Sequence, residues 1–152
     1  MRVIEGFDEL ESLTGIELGA SEWLTITQEM VDRFADVTLD HQWIHVDPDR
    51  AARQSPYGTT IAHGFLTLSL VPHFTRQIAD LRGVSRRINY GVNKVRFPNA
   101  VRTGARVRGV QRLLSTTRVD PGTVRFTSQV VIEIEGETKP ACVAETVTMA
   151  YA

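Results

Sequence analysis

The spacing of apolar residues divides the chain into a helical first half and a strand-rich second half. A short helix is expected over Phe7 to Leu13, and a short strand over Trp23 to Ile26. Thr25 or Thr27 can cap a second helix, which should end near Val37 to Leu39. Helices and strands that are segregated in this way are typical of an α+β domain, with the helices packed on an antiparallel sheet.

The stretch from Asp40 to His45 is expected to be an irregular loop, a common position for reactive side chains on a rigid scaffold. Asp47-Pro48 then has the features of a helix start, with the aspartate as the cap and the proline in the first turn. The short helix that it begins should run from Pro48 to Arg53. A loop containing proline and glycine follows from Ser55 to Thr60.

A longer helix should begin near Ala62, because the residues from Phe65 to Val71 are apolar on most sides. A helix of this kind belongs in the interior of a protein rather than on its surface. Pro72 should kink the helix or remove one backbone hydrogen bond. The helix is expected to continue to about Ala79 and to close at Arg82-Gly83.

The rest of the chain has the alternation of strands, over residues 88–97, 106–113, 124–134 and 141–150. Ser128 is the one polar residue on the apolar side of the third of these strands. Turns are expected at Asp120 to Gly122 and at Gly136 to Lys139. No linker or internal repeat interrupts the pattern, so residues 1–152 are predicted to form a single domain whose core is one buried helix against the sheet.

Composition and charge exclude several classes of protein. The 42% hydrophobic and 23% charged residues are close to globular averages, which excludes general disorder. The net charge of −1 argues against general binding to nucleic acid or to an anionic membrane, since both need a broad basic field. Cys142 is the only cysteine, so no intrachain disulfide can form, and a free thiol fits a reducing cytoplasm. The chain also lacks a signal-peptide core and a membrane-length apolar run.

Asp40 and His45 are the leading candidates for chemistry. A carboxylate and an imidazole that face one water can hold it and move its proton, and an imidazole exchanges protons readily near neutral pH. Taken singly, Asp40 is better explained as a loop-capping carboxylate, and His45 as a surface or core histidine whose hydrogen bonds are satisfied. The flanking residues decide between these interpretations.

Those flanking residues resemble the hydratase motif of the MaoC-like, (R)-specific enoyl-CoA hydratases. The chain departs from the usual pattern at Leu39, Gln42 and Trp43, where glycine, asparagine and proline are typical. Gln42 to His45 looks like the NodN-like branch of that family. Ile61 to Phe65 and Asn93 to Pro98 are also similar to the family pattern. The motif positions that match are Phe34, Val37, Thr38, Asp40, Ile44, His45 and Ala51.

The resemblance implies a hot-dog fold, in which a sheet wraps a central helix, and a homodimer whose sheets join edge to edge. It implies that Asp40 and His45 hold a water that adds to C3 of a trans-2-enoyl-CoA, while a proton goes to C2. The product would be a (3R)-hydroxyacyl-CoA. No cofactor is expected, because coenzyme A is part of the substrate.

Gly64 is the candidate group for polarising the thioester carbonyl. A helix N-terminus offers free N–H groups and a favourable dipole to an oxygen that gains negative charge. The alternative is a glycine needed only for close packing of the helix. His63 is interpreted as a structural neighbour. Asp36, Asp47 and Asp49 lie near the histidines in sequence, but Asp47 is better explained as a helix cap and Asp36 as part of a solvated helix end, so no metal is expected.

Basic residues in the second half are candidates for binding the phosphates or the pantetheine of coenzyme A, since arginine suits phosphate groups. The alternative for each arginine is a solvated strand face with glutamate partners, and Arg102, Arg106, Arg108 and Arg112 share both interpretations. The predicted substrate-binding residues are Arg86, Arg87, Asn93, Lys94 and Arg96.

Three other functions remain open. A (3R)-hydroxyacyl-carrier-protein dehydratase would use similar chemistry on a protein-bound thioester. An acyl-thioesterase is possible because a fold does not fix a function. A non-catalytic acyl-CoA-binding module would account for the departures at Leu39, Gln42 and Trp43. Retention of both Asp40 and His45 favours the hydratase.

Overall fold

The computed structural model describes all 152 residues and contains six short helices and eight strands. The helices are α1 Gly6–Ser12, α2 Gln28–Thr38, α3 Trp43–Val46, α4 Pro48–Gln54, α5 Gly64–Ser69 and α6 Val71–Ile78. The strands are β1 Arg2–Glu5, β2 Glu17–Ala20, β3 Leu24–Thr25, β4 Ala79–Arg82, β5 Arg86–Arg96, β6 Arg106–Asp120, β7 Thr123–Ile134 and β8 Cys142–Tyr151.

The main sheet is antiparallel and has the strand order β2-β6-β7-β8-β5, with β3 paired to β6. Its centre is the β6–β7 hairpin, which turns at Pro121-Gly122 as the sequence predicts. On β7, residues 124, 126, 128, 130, 132 and 134 are all buried, which confirms the predicted alternation. The polar exception, Ser128, accepts a hydrogen bond of 3.0 Å from the amide of Gln111, so the buried hydroxyl has a partner.

The central helix lies on this sheet in two pieces, α5 and α6, rather than as one continuous helix. They meet at Leu70, two residues before Pro72, where the missing proline N–H weakens the helical ladder. The helix ends at Ile78, close to the expected Ala79, but the expectation that Arg82-Gly83 closes it is wrong. Residues 79–82 form β4, which pairs in parallel with β1, and buried Ala79 and Leu81 alternate with more exposed neighbours in the manner of a strand.

A glycine on the sheet allows the helix to approach closely. Phe74 of α6 is fully buried, and its Cβ lies only 2.7 Å from where a Cβ on Gly109 would be. Gly109 therefore leaves the space that the Phe74 ring occupies. This contact fixes how near the central helix can lie to β6.

Helices α1, α2 and α4 follow the sequence prediction closely. The Thr27 hydroxyl caps α2 by accepting from the Met30 N–H, and the Asp47 carboxylate caps α4 by accepting from the Arg50 N–H. Leu39 ends α2 in the left-handed conformation, with φ of 62°. A leucine in this conformation has a steric cost that a glycine would avoid. The chain therefore ends α2 in a left-handed turn although it lacks the glycine that is typical of the motif at this position.

β5 forms one edge of the main sheet and is almost entirely exposed. Ten of its eleven residues are exposed, and Val95 alone is half-buried. Ile88, Tyr90 and Val92 add an apolar strip to this edge, with 47%, 67% and 51% of their surfaces exposed. An open edge of this length is a template for pairing with another strand. None of the helices is long and apolar enough to cross a membrane.

The Phe74–Gly109 contact leads to a stability prediction. Gly109→Ala should lower the free energy of unfolding by about 1–3 kcal/mol, because the new methyl group overpacks against a fully buried ring. Urea denaturation at a fixed protein concentration measures the change. Gly122→Ala is the matched control, because a Cβ there meets only the Asp120 carboxylate, at 3.6 Å. Equal stability of the two variants would contradict the role of Gly109.

Candidate active site

Asp40 lies in the short link between α2 and α3, directly after the left-handed Leu39. Its side chain is 57% exposed. The exposure follows from its position, because the link runs over the surface and only its backbone reaches inward. The Asp40 carboxylate is therefore open to water and to a substrate.

His45 lies on the helical turn α3, which corrects the expectation of an irregular loop. Its side chain is buried, and its Nδ1 is 2.7 Å from the carbonyl oxygen of Ile61. Because a carbonyl oxygen can only accept, Nδ1 carries the hydrogen, and Nε2 of the neutral ring has a free lone pair. The Gln28 amide donates to the His45 carbonyl oxygen at 2.8 Å, which holds the turn itself in place.

The surroundings of His45 favour its neutral form. Its pKa is lowered from the usual value, first because burial removes water from the charged ring. The hydrogen bond to Ile61 raises the pKa, neighbouring His63 lowers it and Asp40 raises it, in that order of size. A neutral imidazole with a bare Nε2 is suited to accept a proton from water at physiological pH.

His63 is a structural neighbour of both candidate residues, and the sequence did not predict its contacts with them. It is 97% buried, and its ring stacks on that of His45 with centroids 3.8 Å apart. Its Nε2 lies 2.9 Å from the carbonyl oxygen of Asp40 and 3.9 Å from the Asp40 carboxylate. The local sequence pattern could not predict this arrangement, because the hydrogen bond joins residues 23 positions apart. The same pattern fits any buried histidine whose hydrogen bonds are made within the core.

Gly64 begins α5 beside this cluster. The first intrahelical hydrogen bond runs from Leu66 N to His63 O, so the N–H groups of Gly64 and Phe65 precede the hydrogen-bonded ladder. A Cβ on Gly64 would lie 2.9 Å from the ring of Phe97. Close packing is therefore one reason for this glycine, and its use as an N–H donor remains a prediction.

Asp40, His45 and His63 each offer a possible ligand atom, and the three atoms lie within 4.8 Å of one another. One nitrogen of each ring already bonds a carbonyl, and the two rings stack at an interplanar angle of 25° instead of converging on a point. This geometry does not favour a metal ion, and the absence of one stays a prediction. Asp47 caps α4, and Asp36 accepts from His41, as residues at helix ends commonly do.

The predicted substrate-binding residues all lie on the exposed strand β5. Arg87 lines a cavity of about 270 Å³ between α6 and the sheet, whereas Asn93 lines a separate depression. None of the basic residues among them forms an ion pair. Arg86 stacks over Tyr151 at 4.1 Å, and Arg96 donates to the Val95 carbonyl.

The arginines of β6 behave differently. Arg106, Arg108 and Arg112 pair with glutamates on β7, on β2 or in the turn that follows β7. Those partners are Glu135, Glu133 and Glu17. The alternative interpretation of solvated strand faces with glutamate partners therefore fits these three arginines.

Covalent chemistry through the one thiol does not fit the structure. Cys142 is fully buried in the core, and burial raises its pKa to about 11. The thiolate, which is the nucleophilic form, is scarce under these conditions.

The profile of the MaoC like domain matches residues 9–134 of the chain. The chain belongs to the MaoC-like family. Relatives and structural neighbours of this MaoC-like protein include hydratases and dehydratases, and membership of the family makes it a lyase-type enzyme of fatty-acid metabolism with the hot-dog fold. The resemblance read from the sequence is therefore confirmed.

Two curated relatives cover nearly the whole MaoC-like chain. The 3-hydroxyacyl-thioester dehydratase Z of Mycobacterium tuberculosis is 52% identical over 147 residues, which is 97% of each chain. Nodulation protein N of Rhizobium meliloti is 48% identical over 145 residues, covering 93% of this chain and 89% of the relative. The (R)-hydratase from A. caviae matches in fold, with a TM-score of 0.72 and 23% identity over 89% of this chain and 94% of that one.

The environment of His45 leads to a pH prediction. Because its folded pKa is lowered, the Hε1 resonance of His45 should titrate with a midpoint below the ordinary ~6.5. In the same acidic window the unfolded chain binds more protons than the folded one, so stability should fall as the pH drops below ~6.5. NMR titration measures the midpoint, and His45→Gln, which lacks the resonance, assigns it. A midpoint at or above ~6.5 would contradict the stated environment.

Proposed function

We propose that the protein catalyses the reversible (R)-specific hydration of trans-2-enoyl-CoA to (3R)-hydroxyacyl-CoA. The observation that carries the proposal is the hydrogen bond from His45 Nδ1 to the Ile61 carbonyl oxygen, at 2.7 Å. It leaves Nε2 of His45 without a hydrogen, in a cluster where one ring nitrogen of His45 lies within 4.8 Å of an oxygen of the exposed Asp40 carboxylate, beside the start of α5. A base, a second acceptor and free N–H groups are the parts that hydration of an activated double bond requires.

In this reaction the Asp40 carboxylate and His45 Nε2 each accept a hydrogen bond from one water. The water oxygen bonds to C3 of the enoyl thioester as His45 Nε2 takes one of its protons. The electron pair of the double bond moves toward the thioester carbonyl, and the proton is then delivered to C2. Dehydration is the same sequence in reverse, and it matches the activity named for the mycobacterial relative.

The N–H groups at the start of α5 are proposed to stabilise the carbonyl oxygen as it gains negative charge. Gly64 is the principal donor in this proposal, and its N–H precedes the helical ladder. Because Phe97 occupies the space of a Cβ, Gly64→Ala would disturb packing as well as the donor. The acid–base pair is therefore the better target for a test.

Asp40→Asn and His45→Gln should each lower the rate of enoyl-CoA hydration by about 10²-fold or more, because each removes a positioned acid–base group. Loss of the ultraviolet absorbance of crotonyl-CoA follows the reaction. Asp49→Asn and His73→Gln are matched controls on exposed helical positions. Full activity in either site variant would contradict the assigned site, and release of free thiol by the wild type would indicate a thioesterase.

Substrate binding is proposed to involve the residues on β5 that have no ionic partner in the chain. The residues are Arg86, Arg87, Asn93, Lys94 and Arg96. The free charges of the four basic residues among them suit the phosphates of coenzyme A. The same charges would also suit an acidic carrier protein, which makes a (3R)-hydroxyacyl-carrier-protein dehydratase the second candidate. Turnover of one acyl group on coenzyme A and on a carrier protein distinguishes the two.

A homodimer is proposed to form through β5, because this edge exposes both backbone groups and the apolar strip of Ile88, Tyr90 and Val92. Pairing with β5 of a second copy would cover the strip and extend the sheet across both chains. The unpaired cations would then lie near the junction of the two subunits. This placement fits a coenzyme A groove shared between them.

Sedimentation should give a particle of twice the chain mass of 17.0 kDa. Val92→Glu should shift the protein toward the monomer, because it places a charge in the paired edge. Val119→Glu is the matched control, since Val119 is exposed to a similar extent (54%, against 51% for Val92) but lies by the β6–β7 turn. A monomeric wild type, or equal effects of the two variants, would contradict dimerisation through β5.

A further inference from the structure

Every hydrogen bond recorded for residues 39–42 involves a near neighbour, except one. The Gln42 carbonyl oxygen accepts from His45 N, and the His41 ring bonds the Asp36 carboxylate at 2.8 Å. The exception is the Asp40 carbonyl oxygen, which lies 2.9 Å from Nε2 of His63. His63 is therefore the only distant residue that hydrogen-bonds this link to the body of the protein.

The geometry also defines the protonation of the His63 ring. The Asp40 carbonyl oxygen can only accept, so Nε2 carries the hydrogen and Nδ1 does not when the ring is neutral. Nδ1 is buried without a hydrogen-bond partner. A buried polar atom without a partner is costly, and a phenylalanine ring in this place would avoid that cost. A donor aimed at the Asp40 backbone is the one feature that histidine adds.

We propose that His63 is a positioning residue, which holds the carboxylate of Asp40 toward the bare Nε2 of His45 by anchoring the Asp40 carbonyl oxygen. The proposal rests on the hydratase function given above. His63 itself transfers no proton in this scheme. It acts from the buried side of the site, through the backbone of Asp40, while the Asp40 side chain stays open to solvent.

Stacking strengthens the positioning. The His63 ring lies between its hydrogen bond to Asp40 and the face of the His45 ring, with Phe34 at 5.1 Å on another side. One rigid, buried ring thus sets the relation between the two reacting groups. A displacement of about 1 Å in a positioned group can cost about 10² in rate, so loss of the anchor should affect catalysis strongly.

Two substitutions separate this role from packing and from proton transfer. His63→Phe keeps a ring of similar size but has no donor, whereas His63→Gln loses the ring and keeps an N–H near the position of Nε2. If His63 anchors Asp40, His63→Phe should lower kcat by about 10²-fold with little change in KM, and His63→Gln should recover at least about tenfold of that loss. Thermal unfolding of each variant is measured in parallel.

The other outcomes overturn the proposal. A packing role predicts the reverse order, with the phenylalanine variant more active than the glutamine variant. Direct proton transfer by His63 predicts that both variants are equally inactive. A phenylalanine variant with wild-type kcat would show that the anchor is not needed.

A spectroscopic measurement on the wild type tests the geometry without relying on turnover or on the folding of a variant. Chemical shifts of ¹⁵N-labelled histidine should show the Nε2–H tautomer of His63, with a through-hydrogen-bond coupling to the ¹³C-labelled carbonyl of Asp40. An Nδ1–H tautomer would overturn the anchor whatever the activity. A wild type that shows this coupling but hydrates no enoyl thioester would instead contradict the proposed function, and with it the catalytic purpose of the anchor.

Discussion

The close approach of Phe74 to Gly109 is the constraint on which the rest of the structure depends. Because no Cβ separates the ring from the sheet, α6 lies directly on β6. α5 is joined to α6 through Leu70 alone, and His63, at the start of α5, hydrogen-bonds the Asp40 carbonyl oxygen in the link between α2 and α3. A small volume in the core thus helps to place the residues proposed for catalysis.

The site itself is held by backbone carbonyl groups. Ile61 O accepts from His45, Asp40 O accepts from His63, and the His45 carbonyl oxygen accepts from Gln28. Each bond fixes an orientation and leaves the reactive atom free. This arrangement holds an exposed carboxylate and a buried imidazole in different environments, and in the proposed reaction the two groups share one water.

Local features were predictable from the sequence, and long-range ones were not. The caps at Thr27 and Asp47 and the alternation of β7 depend on a few adjacent residues, and the structure agrees with all three. The strand at Ala79 to Arg82 was missed because its pairing partner lies at the N-terminus. The motif predicted Asp40 and His45 as the candidate pair. The contact of His63 with Asp40 depends on long-range packing, which the spacing of nearby residues does not predict.

The left-handed Leu39 has a consequence for the flexibility of the chain beside Asp40. A glycine would adopt the same φ without steric cost, but it would also give the link many more conformations to sample. Leucine narrows that range at a cost of roughly 1–2 kcal/mol. Leu39 therefore introduces local strain, and it also restricts the conformations of the chain directly before Asp40. In this chain the rigidity of the link is a property of its covalent backbone as well as of its contacts.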